Sequence, residues 1–185
     1  MKRNNLNIIL AVGLILMAAV ARIVNYEMHL YNLAPVAAIG LFGGAVIKDR
    51  RLAFLMPLLS LFIADLYIQL FPSSPAMRGF YGVEQLFVYG AMAAVTFLGM
   101  KMQQPNTTKV MGYSFAGSLA FFVLSNLGSY VSGMWGYGWE GLTTTYVMAI
   151  PFFKNTLISD LVSNTILFGG YFLLQQAFTR TLQKA

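Results

Sequence analysis

Two aspartates and a lysine stand where this sequence is otherwise apolar. Asp65 lies in LLSLFIADLYIQL, and Lys154 and Asp160 lie six residues apart in IPFFKNTLISDLVSN. A charged side chain placed in lipid costs about 2.5–3.5 kcal/mol even on the lenient insertion scale. Each of these groups must therefore face the protein interior or a wet cavity. There a carboxylate can accept hydrogen bonds from a solute, neutralise a cation or exchange a proton, because burial favours its uncharged form. The amides and hydroxyl of Asn126, Asn155, Thr156 and Asn164 add hydrogen-bonding capacity nearby.

The elements that must position these groups follow from composition. The chain has 185 residues, 58% of them hydrophobic and 10% charged, and its mean hydropathy is +0.67. A soluble domain carries about 25% charged residues. An integral membrane protein with one compact domain over residues 1–185 is expected. A span needs roughly 17–25 mostly apolar residues. The spans are placed at 6–24, 33–47, 52–71, 83–100, 110–131 and 156–178. The fold class is all-α, with six transmembrane helices. The basic start and the apolar run Leu6–Ala21, with Ala19-Val20-Ala21 as an A-x-A site, also have the form of a signal peptide. The first helix fits the count of spans better.

Nine of the twelve basic residues then fall on one side: Lys2, Arg3, Lys48, Arg50, Arg51, Lys101, Lys109, Arg180 and Lys184. The positive-inside rule puts both termini in the cytoplasm. The net charge of +6 is thus explained by topology, and no nucleic-acid partner is expected. The connections on the other side are longer and aromatic. SGMWGYGWEG carries Trp135 and Trp139, which form either an interfacial belt or a lid made mobile by Gly133, Gly136, Gly138 and Gly141. The stretch from Leu142 to Phe178 would make one helix of ~55 Å, longer than the ~30 Å hydrocarbon core. Pro151 offers a break, so residues 142–151 are expected to lie in the outer interface before segment six descends.

On this layout Asp65, Asn126 and Asp160 each lie ~9 Å below the outer surface, on segments three, five and six. Thr156, Ser159, Asp160, Ser163 and Asn164 share roughly 140° of one helix face. Two expectations stand side by side: a solute pocket between the three segments, or interhelical hydrogen bonds with Asp65 or Asp160 paired to Lys154. Lys154 also suits a snorkelling position at a helix end. Segment two is rich in small residues, Ala34, Ala38, Gly40, Gly43 and Gly44. Gly40 and Gly44 form a small-xxx-small pair suited to close helix packing in the bundle or to docking a partner subunit.

Several chemistries lack their motifs. There is no Cys and one His, His29, so no metal site of the Cys/His kind is expected. The sequence has no G-x-S-x-G, no H-E-x-x-H and no Walker motif. The aspartates sit in IADLY and ISDLV, outside the Tyr-Asp and Gly-x-Gly-Asp contexts of intramembrane aspartyl proteases. No enzymatic activity, catalytic residue or cofactor is expected.

The stretches APVAAIGLFGGA, PLLSLFIADL, FFVLSNLGSYVSG and EGLTTTYVMAIPFFKNTLISDL resemble an uncharacterised bacterial family of small six-helix membrane proteins regarded as transport proteins. The resemblance covers about Asn32 to Gly170. It carries over Pro35, Gly43, Gly44, Asp65, Asn126, Gly128, Gly133, Tyr146, Pro151, Phe152, Phe153, Asn155, Thr156 and Asp160. That family more often has Arg at the position of Lys154, which keeps the charge but not the bidentate fork. More distantly, the layout is similar to the substrate-binding S components of energy-coupling-factor transporters. These are six-helix bundles that bind vitamins or metals in an outward pocket. They work with a transmembrane coupling subunit and two ATPases. The alanines of the first segment, Ala11, Ala18, Ala19 and Ala21, do not have the Ala-x-x-x-Ala spacing of the partner motif in those components.

The resulting expectation is a multi-pass protein of the inner (cytoplasmic) membrane that captures a small polar solute. Asp65, Asp160, Asn126, Asn155, Thr156, Asn164 and Lys154 would line the pocket, and Trp135 and Trp139 would cover it. The alternatives are an accessory protein whose polar cluster only locks the bundle, and a stand-alone proton-coupled carrier.

Overall fold

The computed structural model describes residues 3–29, 35–72 and 78–184. Among them are six helices: α1 Arg3–Glu27, α2 Val36–Val46, α3 Arg50–Leu70, α4 Val83–Lys101, α5 Thr107–Val131 and α6 Gly138–Lys184. Four of these, α3 to α6, are long and apolar enough to cross a membrane. The all-α class and the placement of α1 to α5 follow the sequence closely, while α6 begins at Gly138, ahead of the expected 156.

Helix ends are set by local chemistry. Asp49 precedes α3, and its Oδ1 accepts from the backbone N–H groups of Arg51 at 2.9 Å and Leu52 at 3.1 Å. Asn106 does the same for α5, accepting from the Lys109 N–H at 2.9 Å. Such caps satisfy donors that the helix itself leaves free. At the other end of α5, Gly133 adopts φ +76°, a conformation open to glycine at little cost. Its N–H donates to the Tyr130 carbonyl, and the next N–H, of Met134, donates to Ser129. This paired Schellman closure ends α5 and leaves only a short turn before α6.

The organising element is the shortest. Helix α2 has 11 residues, about 16 Å at 1.5 Å per residue, and touches each of the other five helices. Residues Ala37 to Gly44 are all buried, as expected of a helix that is apolar all round. Phe42 meets Phe168 and Tyr171 of α6 edge-on, at 5.2 and 5.8 Å between ring centroids. The small face of α2 packs within the bundle. A Cβ on Gly40 would crowd Met92 and Thr96, and one on Gly44 would overlap the Thr96 carbonyl of α4. Gly99 of α4 approaches the Leu41 carbonyl in return, so the two backbones are in direct contact, as small residues permit. Gly43 lies against Pro57 of α3. Ala34 lies outside the described residues.

One expectation is corrected. Helix α6 does not break at Pro151; it is a single helix of 47 residues with that proline inside it. A proline removes one N–H from the helical ladder and clashes with the preceding turn, which favours a break when nothing else holds the helix. Here α5 holds both sides of it. The Tyr146 hydroxyl donates to the Val123 carbonyl at 2.8 Å. Phe122 lies between Tyr146 and Phe153, at 5.9 and 4.7 Å.

Candidate functional site

The polar groups expected to converge form three separate sets. The first surrounds Asp65, which is 1% exposed. The second surrounds Asp160, which is fully buried. The third lies in a groove between α5 and α6.

Asp65 does not pair with Lys154. Its Oδ1 accepts from Nη2 of Arg22 on α1 at 2.8 Å. Its Oδ2 accepts from the Tyr89 hydroxyl at 3.0 Å and, more weakly, from Gln85 Nε2 at 3.4 Å, both on α4. The carboxylate thus joins α1, α3 and α4. Arg22 and Asp65 form an ion pair. Arg22 has its other terminal nitrogen, Nη1, buried without a hydrogen-bond partner. One turn along α3, the Gln69 Oε1 accepts from the N–H groups of Gly79 and Phe80, each at 3.2 Å. A Cβ on Gly79 would overlap the Asp65 carbonyl, so this loop sits directly on the α3 backbone. Tyr81, in the same loop, has its pKa pushed up to about 12, first by burial and then by the nearby Asp65 charge. It stays a neutral phenol at physiological pH.

Asp160 has a different role. Its Oδ1 accepts from the backbone N–H of Ala38 at 3.0 Å. Its Oδ2 accepts from the Ser118 hydroxyl of α5 at 2.8 Å. Ala37 and Ala38 lie in the first turn of α2, whose preceding residue, Pro35, provides no side-chain cap. Asp160 is therefore the N-terminal cap of α2, supplied by a helix more than a hundred residues away in sequence. A carboxylate suits the partial positive charge at a helix N-terminus. One turn further, Asn164 is 1% exposed, and neither its amide nitrogen nor its oxygen has a partner. Ser159 is also buried, so the polar face expected on this helix does point inward.

The third set is a groove of about 350 Å³ lined by Phe121, Phe122, Ser125 and Asn126 of α5 and by Ala149, Phe152, Phe153 and Thr156 of α6. Asn126 Nδ2 donates to the Phe122 carbonyl at 2.8 Å, and the Thr156 hydroxyl donates to the Phe152 carbonyl at 3.3 Å. Of the expected site residues, this groove brings together Asn126 and Thr156 only. Lys154 and Asn155 are exposed on α6. Trp135 and Trp139 are 43% and 79% exposed at the turn into α6.

Sequence reasoning missed Arg22, Tyr89 and Ser118. The signal for Arg22 was present: it is a charge within an apolar run, VARIV, subject to the argument applied to Asp65. Ser118 had a weaker signal, as a serine one turn from Ser114 on an apolar helix.

The chain belongs to the family of unknown function DUF6580, whose model matches residues 2–182. No curated protein and no solved structure matches it significantly.

Proposed function

We propose that this chain is a six-span protein of the bacterial inner membrane that captures a small solute in the groove between α5 and α6. The observation that carries the reading is the composition of that groove. Phenylalanines from both helices wall it, while Ser125, Asn126 and Thr156 supply hydrogen-bonding groups. Its volume falls at the lower end of small-molecule sites, which are mostly apolar with a few placed polar groups. No charged side chain lines it. The matching solute is compact, flat or ring-bearing, and uncharged where it meets the walls, as a vitamin or cofactor precursor would be.

The inside orientation of both termini rests on the basic residues. Lys48, Arg50 and Lys101 border one cavity at the same end of the bundle, in keeping with a cytoplasmic face. The turn carrying Trp135 and Trp139 belongs to the opposite face. A coupling subunit with ATPases, as in energy-coupling-factor systems, is the partner this reading implies.

Thermal unfolding of the purified protein against a panel of aromatic vitamin-like solutes tests the proposal. At least one solute is expected to raise the melting temperature of the wild type. Asn126→Leu and Thr156→Val should abolish that rise while melting normally alone. If no solute acts, or if both variants respond as the wild type does, the groove is not the site.

A second reading, an accessory protein stabilised by its polar groups, draws on Asp65 and Asp160. Both carboxylates are satisfied within the bundle, which is what interhelical fastening requires. Under that reading Asn126→Leu leaves every uptake phenotype unchanged.

A further inference from the structure

We infer that the cavity at the Lys48–Lys101 end of the bundle is a binding site for a phosphate-bearing anion. It is separate from the α5–α6 groove and encloses about 390 Å³.

The cavity arises from how α2 ends. Gly44 and Gly99 bring α2 and α4 into backbone contact, and α2 stops at Val46. Ile47 is extended, with φ −82° and ψ 112°, and the chain enters α3 at Arg50. This short connection places Lys48 and Arg50 beside the last turn of α4, where Lys101 stands. The Lys101 ammonium lies 5.0 Å from the centroid of the Phe97 ring. A cation–π contact of this kind holds the head group near the cavity.

The charge balance favours an anion. Lys48, Arg50 and Lys101 all border the cavity, and no carboxylate does. Among the described residues no ion pair joins Lys48, Arg50 or Lys101 to a carboxylate. Asp49, their neighbour in sequence, directs Oδ1 to the backbone of α3. The C-termini of α2 and α4 contribute roughly half a negative charge each, and the N-terminus of α3 roughly half a positive one. These partial charges leave a clear cationic excess. The guanidinium of Arg50 can grip two phosphate oxygens at once, and the lysines act as point charges. Phe54 and Phe97 add apolar wall, which suits a phosphate attached to an apolar body. Two sources share this chemistry: the headgroup of an anionic phospholipid and a soluble phosphate.

Thermal unfolding of the delipidated full chain in non-ionic detergent tests the site and separates the sources. Phosphatidylglycerol is added in mixed micelles, with phosphatidylcholine as control; inorganic phosphate is added against chloride at equal ionic strength. Saturable stabilisation by phosphatidylglycerol beyond phosphatidylcholine supports a lipid headgroup. Stabilisation by phosphate beyond chloride supports a soluble ligand. Lys48→Gln, Arg50→Gln and Lys101→Gln combined should remove the effect, with each single change weakening apparent affinity roughly tenfold. Arg51→Gln, one residue away but not lining the cavity, should leave it intact. If the triple variant does not fold, Lys101→Gln alone decides by its loss of affinity. The inference is overturned if neither anion exceeds its control, if the lining variants keep the full effect, or if Arg51→Gln removes it equally.

Discussion

Replacing Asp160 should unfasten the start of α2, and the size of the effect can be worked from its partners. In Asp160→Leu the N–H group of Ala38 loses its acceptor. Ala38 is fully buried, so water cannot take its place. An unsatisfied buried donor costs about 1–3 kcal/mol, and loss of a charge at a helix N-terminus adds up to about 2 kcal/mol in buried geometry. Ser118 is not stranded, because its hydroxyl also lies 3.0 Å from the Ser114 carbonyl. A total near 4 kcal/mol is expected, or roughly 10 °C in melting temperature for a chain of this size. Asp160→Asn keeps one carbonyl oxygen for the backbone donor and can turn its amide toward Ser118, so it should lose only about 1–2 kcal/mol. Thermal unfolding ranks the variants. Because the chain has no Cys, a single cysteine at Val36 reports on the first turn of α2 through its alkylation rate. That rate should rise in Asp160→Leu and stay near the wild-type rate in Asp160→Asn. Asp160→Leu melting with the wild type, or a thiol rate that does not change, would refute the capping role.

Two further outcomes follow from the same contacts. Arg22→Leu should destabilise by about 3–5 kcal/mol because it leaves the Asp65 charge buried and unpaired, whereas Arg22→Leu with Asp65→Leu should recover much of the loss; a double-mutant cycle on melting free energies checks this, and additivity would contradict it. Gly44→Ala should force α2 and α4 apart at a cost of about 1–3 kcal/mol, while Gly112→Ala, where a Cβ meets nothing within 4 Å, should be neutral or stabilising; comparing folded yields and melting temperatures of the two distinguishes close approach from a general intolerance of alanine.

The helices were legible because their signal is composition over long windows. The apolar runs that mark them are longer than any soluble core helix needs, and the structure moves the ends of α1 to α5 by only a few residues, while α6 begins at Gly138, well ahead of the expected 156. The inward face of α6 was legible too, since Asp160 and Asn164 recur at helical spacing. What the residues share a face with was not. Asp160 is bound by the Ala38 backbone N–H as well as by Ser118, and a backbone N–H is a group that every residue but proline carries and no sequence pattern advertises. Asp65 chose Arg22 over Lys154 through the packing of α1 on α3, a contact between distant segments. The continuity of α6 through Pro151 likewise depends on Phe122 and Val123 of α5. Each miss is a tertiary contact overriding a sound local rule. The carboxylates were correctly singled out as buried, but burial did not reveal whether they serve a solute or the fold.

The placement of charge around α2 gives those carboxylates a common logic. A helix of about 16 Å is too short to carry both of its ends to water across a ~30 Å apolar layer. Its N-terminus is met by Asp160 inside the protein, where an anion is favourable. Its C-terminus opens on Lys48, Arg50 and Lys101, where cations are favourable by the same dipole. The polar groups at both ends are thus consequences of a central helix that stops short. Moving α2 along its axis would strip its Ala38 N–H from Asp160, and the Gly44–Thr96 contact at its other end would have to open as well. The α5–α6 groove has neither constraint. It is walled by aromatic side chains on two helices that meet at Phe122, Tyr146 and Phe153. The fastening of α2 therefore argues for placing solute capture on α5 and α6.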